Sequence, residues 1–247
     1  MKQNKGIKIY VTESYEEMST TAAHLLGAQI RLNPTSVLGL ATGGTPVGMY
    51  KNLVRMYKEE GLDFSGITTF NLDEYYPLSR SSDQSYYYYM TDHLFGHVNI
   101  SKDRIYIPDG EAKDVEAECA NYDAKIEELG GIDLQVLGIG TNGHIGFNEP
   151  DTFFPKSTHL VDLVEETIQA NARFFNSIDE VPKQALSMGI GSIFKAKKIV
   201  LLANGTHKAK IIAETLYGNV RPEVPSTILQ FHPDVTFILD KEAAAEL

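Results

Sequence analysis

The hydrophobic residues of this chain come in short continuous runs rather than in strict alternation with polar residues. Runs rich in β-branched and aliphatic side chains are typical of parallel strands that helices cover on both faces. Five such runs predict strands at 36–41, 67–72, 133–138, 198–203 and 235–239. A sixth strand is predicted at 7–11, and 159–163 is a shorter candidate.

Helical periodicity fills the intervals between these runs. Ser14 and Glu17 form a capping box, in which two side chains satisfy free N–H groups at a helix start, and apolar residues follow at helical spacing. Thr45 and Pro46 predict a second helix start, with threonine as the N-cap and proline at the first helical position.

Two further helices complete the pattern. Asp114 predicts the N-cap of one, and Cys119 falls in its apolar stripe, which indicates a buried structural thiol rather than a nucleophile. The tyrosine run 86–89 predicts the other helix, which should pack near the carboxyl end of the strand at 67–72. Because strands and helices alternate, we predict the α/β class: a single doubly wound, mostly parallel, Rossmann-like sheet with helices on both faces, forming one domain over residues 1–247.

Charge and composition narrow the range of partners. The 247 residues include 33 acidic and 22 basic side chains, a formal charge of −11, so we expect neither nucleic acid nor anionic lipid to bind. Any phosphate must then be bound by a few locally placed cations. The single cysteine excludes an intramolecular disulfide and a cysteine-based metal site. No apolar run approaches ~18 residues and no signal-peptide core is found at the start, which predicts a cytoplasmic protein without membrane contact.

Polar and glycine-rich segments follow four of the predicted strands. In a doubly wound sheet, ligands bind beyond the carboxyl ends of the strands. The segments at these ends are 42–45, 73–75, 140–144 and 204–208. They bring a loop suited to anions, a pair of carboxylates, a histidine and a lysine toward the same edge of the sheet, which is therefore the predicted site.

The first of these segments reads Thr42-Gly43-Gly44-Thr45. Its glycines let the backbone approach a ligand closely, its threonines add hydroxyl donors, and the helix that follows directs free N–H groups toward an anion. No Gly-Lys-Ser/Thr follows, which argues against ATP or GTP. Taken alone, the pattern is equally typical of a plain turn between strand and helix.

A second glycine pattern matches the dinucleotide-binding fingerprint only in part, and the part that is missing argues against a bound dinucleotide. Gly138, Gly140 and Gly143 match G-x-G-x-x-G after a strand. Asp162 lies near the spacing expected for a ribose-binding acid. The fingerprint also requires a helix that opens at the third glycine, whereas residues 144–150 are interrupted by glycine and proline. We therefore expect no nucleotide cofactor.

The same interrupted loop carries candidate acid–base groups. His144 can exchange protons near neutral pH, and Glu149, five residues later, can orient the imidazole and raise its basicity. Asn142 lies two residues before the histidine. A lone histidine more often bonds to nearby backbone, but the glycine-rich position at a strand end favours catalysis here.

Asp73 and Glu74 end an apolar strand. Side chains alternate along a strand, so only one of the two carboxylates can face the site. We predict that Asp73 is the general base, because burial beside apolar walls raises the pKa of a carboxyl group toward the value that a base needs. Glu74 is predicted to have a structural role. A helix-capping role for Asp73 is the alternative.

With these residues assembled, the chain resembles the glucosamine-6-phosphate deaminases. The similar blocks follow the family's order and spacing over nearly the whole chain, at 38–46, 69–75, 138–150, 171–175 and 204–210. Asn-Glu-Pro at 148–150 and Asp-Glu-Tyr at 73–75 are specific to the deaminases. The related 6-phosphogluconolactonases typically have Asp-Glu-Arg and a different histidine loop.

The resemblance implies an activity and a set of residues. The family converts glucosamine 6-phosphate and water to fructose 6-phosphate and ammonium without a metal or an organic cofactor. By motif position, Asp73 is similar to the base that moves a proton between C2 and C1, and His144 is similar to the group that opens the sugar ring with the help of Glu149. The implied phosphate site comprises Thr42, Gly43, Gly44, Thr45, Arg173 and Lys208. A phosphate there also explains a lysine at a helix start, where the helix dipole disfavours a cation.

Two departures from the family pattern bear on kinetics. Asn142 stands where some members have aspartate, so the histidine lacks one charged partner and the pH profile stays open. His159 and Val161 take the places of basic effector-site residues of the allosteric members, and the chain ends at Leu247 without their C-terminal extension. We expect a non-allosteric enzyme, with a monomer favoured and a homo-oligomer as the alternative.

Other functions remain open at this point. A 6-phosphogluconolactonase or another sugar-phosphate isomerase could use the same scaffold. A sugar-phosphate-sensing domain of a transcriptional regulator also resembles this fold, but it would need a DNA-binding module. No helix-turn-helix pattern precedes Ile7, and the net charge is unfavourable for DNA.

Overall fold

The computed structural model describes residues 6–172, 175 and 177–247. In this part of the chain the strands are β1 (Ile7–Thr12), β2 (Val37–Leu40), β3 (Thr68–Asn71), β4 (Asp73–Tyr76), β5 (Ile105–Tyr106), β6 (Leu134–Leu137), β7 (His159–Asp162), β8 (Gln184–Ser187), β9 (Ile199–Ala203) and β10 (Val235–Asp240). The helices are α1 (Tyr15–Leu32), α2 (Val47–Glu60), α3 (Tyr86–His93), α4 (Val115–Glu128), α5 (Glu165–Asn171), α6 (Ile190–Phe194) and α7 (Ala209–Tyr217). No helix in these ranges is long and apolar enough to cross a membrane.

Seven strands form a parallel sheet in the order β1-β10-β9-β6-β2-β3-β5. From β2 the chain continues through β3 and β5 toward one edge, and from β6 it continues through β9 and β10 in the opposite direction. The winding therefore reverses between the neighbouring strands β2 and β6, and a crevice for ligands forms at such a switch point. The predicted doubly wound, mostly parallel α/β sheet is confirmed.

The core surrounds the central strands. Every residue of β2, β6 and β9 is buried, and apart from Gln135 of β6 these strands contain only apolar residues and glycine, as burial on both faces requires. The first half of the predicted capping box is formed at α1, where Ser14 Oγ accepts a hydrogen bond from the Glu17 N–H. The Glu17 carboxylate returns to the N–H of Glu13 rather than to that of Ser14.

Cys119 is buried on α4 as predicted, and burial raises the pKa of its thiol to about 11, so the thiol is unreactive.

A second, antiparallel sheet of order β4-β8-β7 accompanies the large one. Its strand β7 is the candidate at 159–163, but the sheet itself was not predicted. Strand β4 begins at Asp73, separated from β3 by Leu72 alone, and Asp73 pairs with Ser187 of β8. The sequences of β4 and β8 are short and partly polar, so neither has a pattern that identifies a strand. Their pairing places Asp73 at the junction of the two sheets.

Helix α2 begins one residue later than predicted. Pro46 is its N-cap and the first helical residue is Val47. The Thr45 hydroxyl makes no cap and donates instead to Asn204 Oδ1 over 3.1 Å. The prediction of Thr45 as the cap is wrong because a tertiary hydrogen bond competes for its side chain.

Candidate active site

A cavity of about 430 Å³ opens at the switch point. Residues that follow four strands of the large sheet line its wall: the segments 41–45, 72–73, 138–142 and 207–208. His144, Gly146 and Phe147 of the interrupted loop, Tyr86 of α3 and Thr167 of α5 complete it. The strand ends thus bring together Thr42, Gly43, Gly44, Thr45, Asp73, Asn142, His144 and Lys208, and Glu149 lies behind His144.

The glycine loop after β2 is arranged to present N–H groups. Gly43 has φ +92°, a conformation that favours glycine. The Tyr89 hydroxyl donates to the Gly43 carbonyl over 2.6 Å, and the Tyr15 hydroxyl donates to the Gly44 carbonyl over 3.2 Å. Because C=O and N–H point in opposite directions across a trans peptide, these carbonyl contacts direct the N–H groups that follow away from the tyrosines. An anion can be bound there.

The lysine segment is fixed next to this loop. Thr45 bonds to Asn204, and the Asp240 carboxylate accepts the Gly205 N–H with both oxygens at 3.0 Å. Lys208 follows in the turn that leads into α7 and lines the cavity. The glycine loop and a cation therefore share one end of the cavity. Asn204 and Asp240 were not predicted to take part, because their partners are distant in sequence.

Asp73 is buried at the cavity wall. None of the described residues donates a hydrogen bond to its carboxylate. Burial, together with the negative charge of neighbouring Glu74, raises the pKa of Asp73 to about 8. A carboxyl group of this kind can accept and return a proton close to neutral pH.

Glu74 points the other way and caps α3. Its carboxylate accepts the N–H groups of Tyr86 and Tyr87, over 2.9 and 3.1 Å, and that of Tyr75 over 2.9 Å. Burial raises the pKa of Glu74, while these three N–H donors oppose the rise. The capping role that was the alternative for Asp73 is thus taken by its neighbour, which leaves Asp73 facing the cavity.

The imidazole of His144 lies directly on Gly140. The two residues are joined by a 2.9 Å bond from the Gly140 N–H to the His144 carbonyl, and a Cβ added at Gly140 would be 2.3 Å from His144 Cε1. Nδ1 of the imidazole is 3.2 Å from Oε2 of Glu149, an ion pair when the ring is protonated, with an alignment short of a full hydrogen bond. Glycine at 140 is therefore needed for the position of the ring.

Glu149 is surrounded by donors. Asn142 Nδ2 donates to Oε2 over 2.8 Å, and Thr167 Oγ1 donates to Oε1 over 2.6 Å. Burial favours a raised pKa, but His144, Thr167 and Asn142 together lower the pKa of Glu149 below its usual value. The Asn142 side chain also accepts the His144 N–H over 3.2 Å. Asparagine at 142 thus keeps the loop oriented without a second charge.

Three cavity residues were assigned no individual role from the sequence, and one predicted residue cannot be placed. Arg173 lies outside the described residues. Tyr86 belongs to the tyrosine run that was expected near the site, although no signal distinguished it from its neighbours. His207 lies within the predicted segment 204–208, in which only Lys208 was assigned a role, and Thr167 had no sequence signal. Within the described ranges, no group of three or more His, Cys, Asp or Glu side chains is arranged to hold a metal ion.

Comparisons with known proteins show the family to which the chain belongs. The family model of glucosamine-6-phosphate isomerases/6-phosphogluconolactonase matches residues 12–237. A glucosamine-6-phosphate deaminase of Clostridium botulinum (strain Eklund 17B / Type B) is 59% identical over 241 residues, which are 98% of this chain and 97% of the relative. The chain belongs to the glucosamine-6-phosphate isomerase/6-phosphogluconolactonase family.

Solved structures show the same relationship. The structure of a monomeric glucosamine-6-phosphate deaminase matches with a TM-score of 0.95 and 49% identity over 97% of this chain and 100% of that chain. The 6-phosphogluconolactonase of Trypanosoma brucei matches with a TM-score of 0.72 and 19% identity over 97% of this chain and 98% of its own. The second likeness extends to the fold alone.

The contact between His144 and Gly140 gives a first prediction. Gly140→Ala places a methyl group 2.3 Å from His144 Cε1, so the ring must move. A displacement of about 1 Å at a catalytic group can cost about 10²-fold in rate, and we expect a fall in kcat of that order without loss of folding. Steady-state kinetics and thermal unfolding measure both. Gly27→Ala is the control, since its Cβ would meet the flexible end of Met56, with Cε at 2.4 Å, away from the cavity. Equal kcat values for the two variants would contradict the assigned role of the ring position.

Proposed function

We propose that this protein is a glucosamine-6-phosphate deaminase that converts glucosamine 6-phosphate and water to fructose 6-phosphate and ammonium. The observation that carries the proposal is the single cavity shared by Asp73, the His144–Glu149 pair and the anion loop 42–45. We further propose that residues 1–247 form one domain, and that the enzyme acts in the cytoplasm, where sugar phosphates are retained.

Substrate binding rests on the phosphate group. The loop N–H groups, that of Thr45 among them, the Thr42 hydroxyl and Lys208 hold it at one end of the cavity, with Arg173 as a further cation by family position. An acidic protein binds an anion only through such local donors. Anchoring the phosphate fixes the sugar carbons relative to Asp73 and His144.

The chemistry divides between two groups. His144, oriented by Glu149, transfers the proton that opens the pyranose ring. Asp73 then takes the proton from C2 of the open-chain sugar and returns it at C1, while the aldehyde oxygen at C1 gains a proton from the C2 ammonium group, which leaves a protonated imine at C2. Water adds to this imine, and ammonium departs as the ketone forms. The raised pKa of Asp73, about 8, suits a group that must both accept and release a proton.

A 6-phosphogluconolactonase is the second candidate. Lactone hydrolysis needs a phosphate site and a base that activates water, and this cavity contains both. It does not need a buried carboxyl group, such as that of Asp73, that moves a proton from one carbon atom to another. Deaminase relatives share 55–59% of their residues with this chain, against 19% for the lactonase of known structure, which favours the deaminase.

The proposed function is tested first at the phosphate. The wild type should release ammonium from glucosamine 6-phosphate with no metal or nucleotide added, and free glucosamine should be a very poor substrate. Lys208→Ala should raise KM about 10- to 100-fold, because a charge-assisted contact to an anion contributes about 1.5–3 kcal/mol. Lys210→Ala, an exposed lysine on the same helix, should leave KM unchanged. Equal turnover of free glucosamine and its phosphate ester would exclude this function.

Asp73 is tested by isotope exchange. Asp73→Asn keeps the shape of the side chain and removes the base, so kcat should fall about 10²–10⁴-fold with little change in KM. The wild-type kcat/KM should rise with pH toward about 8, because only the ionised carboxylate accepts a proton, and the variant should lose this rise. In the reverse direction, with fructose 6-phosphate and ammonium in D₂O, the variant should not incorporate deuterium.

His144→Gln provides the contrast. Its defect should be partly relieved when the substrate is already open-chain. Deuterium incorporation by Asp73→Asn at the wild-type rate would show that another group is the base.

We also propose that the enzyme is a non-allosteric monomer. His159 and Val161 in place of basic residues support this, as does the monomeric deaminase of similar structure. Light scattering should give about 27.4 kDa in solution, and velocity should depend hyperbolically on substrate with no activation by N-acetylglucosamine 6-phosphate. A larger assembly with sigmoidal kinetics would contradict the proposal.

A further inference from the structure

Thr167 makes a contact that no catalytic motif indicates. Its side chain is buried on α5, and its hydroxyl donates to Oε1 of Glu149 over 2.6 Å. Glu149 belongs to the loop after β6, and strand β7 separates that loop from α5 along the chain. The contact is therefore a tertiary one between the acid–base loop and a helix of the cavity wall.

The two oxygens of Glu149 have separate partners. Oε2 faces Asn142 Nδ2 at 2.8 Å and His144 Nδ1 at 3.2 Å, while Oε1 bonds to Thr167. The Glu149 side chain is only 8% exposed, so water offers little replacement for a missing donor. Without the threonine hydroxyl, Oε1 would be a buried charged acceptor without a strong partner, and the carboxylate would rotate or take up a proton.

Because residue 142 is asparagine, the hydrogen bond from Thr167 to Glu149 matters more for the acid–base pair. Asparagine has no charge, so Glu149 is the only carboxylate close to the imidazole in the described structure. Three described side chains lower the pKa of Glu149, namely His144, Thr167 and Asn142, and the last two are neutral donors. The charge that orients and stabilises the imidazolium thus depends on one carboxylate and on its two neutral donors.

We propose that Thr167 is a positioning residue of the acid–base pair, whose hydroxyl fixes the Glu149 carboxylate so that Oε2 faces His144. This inference rests on the proposed deaminase function. Thr167 acts through Glu149 and has no proton-transfer role of its own.

The test compares Thr167→Val with the wild type. Valine has nearly the same shape and no hydroxyl, so kcat should fall about 10- to 100-fold, as expected for loss of a hydrogen bond to a charged group, with KM within about twofold. The pKa of Glu149 should rise, because the threonine hydrogen bond lowers it. Thr167→Ser keeps the hydroxyl and should restore both values.

Thr158→Val is the matched control. Thr158 is also buried, and its hydroxyl also donates to a carboxylate, Asp123 Oδ1, over 2.7 Å, but it lies outside the active-site cavity. This variant should keep the wild-type kcat and pH profile, even if its thermal unfolding midpoint is lower. Thr167→Ala repeats the test without the valine branch should Thr167→Val fail to fold.

A readout independent of activity completes the experiment. The side-chain carboxyl ¹³C signal of Glu149, assigned with Glu149→Gln, should titrate at higher pH in Thr167→Val than in the wild type. An unchanged midpoint overturns the inference, as does a raised KM at unchanged kcat, which would make Thr167 a substrate contact. If the wild type releases no ammonium, the proposed function fails, and the carboxyl titration still decides whether Thr167 controls Glu149.

Discussion

The burial of Asp73 is the constraint on which the site depends. A carboxyl group removed from water without a hydrogen-bond donor is costly, and the surrounding fold must hold it in place. Its backbone pairs with Ser187, and Leu72 before it bonds to Leu40 of β2 and to the Met188 N–H. The small antiparallel sheet is thus joined to the large parallel one at the residue before Asp73. The backbone hydrogen bonds that hold Asp73 in place therefore also hold the cavity wall in place.

Two acidic groups of the site have opposite environments. Asp73 has no donor among the described residues, and its pKa is raised; Glu149 has Asn142, Thr167 and His144 as partners, and its pKa is lowered. This difference supports the proposed roles, because a proton carrier needs a pKa near working pH, while a group that stabilises a cation must remain charged. Glu74, the next residue along the strand, instead accepts backbone N–H groups at the start of α3. The position of a carboxylate along the strand therefore decides which role it can take.

The negative charge of the molecule makes the phosphate end equally dependent on local structure. Tyr15 and Tyr89 hold the carbonyls of the glycine loop, and the Thr45–Asn204 hydrogen bond joins that loop to the segment carrying Lys208. The donors are thereby in place before any ligand arrives. Preorganised donors lose little entropy on binding, which allows a protein of charge −11 to bind an anion through few contacts.

The sequence by itself determined the large sheet except for the short edge strand β5, and also the edge at which the cavity lies. Continuous apolar runs are long enough to identify β2, β3, β6, β9 and β10, and a doubly wound sheet places the residues that follow them at one crevice. Only the tertiary structure decided the small sheet, the start of α2 and the contact of Thr167 with Glu149. Strands β4 and β8 are stabilised by each other rather than by their own patterns. The hydroxyls of Thr45 and Thr167 bond to groups distant along the chain, and local periodicity carries no information about such partners.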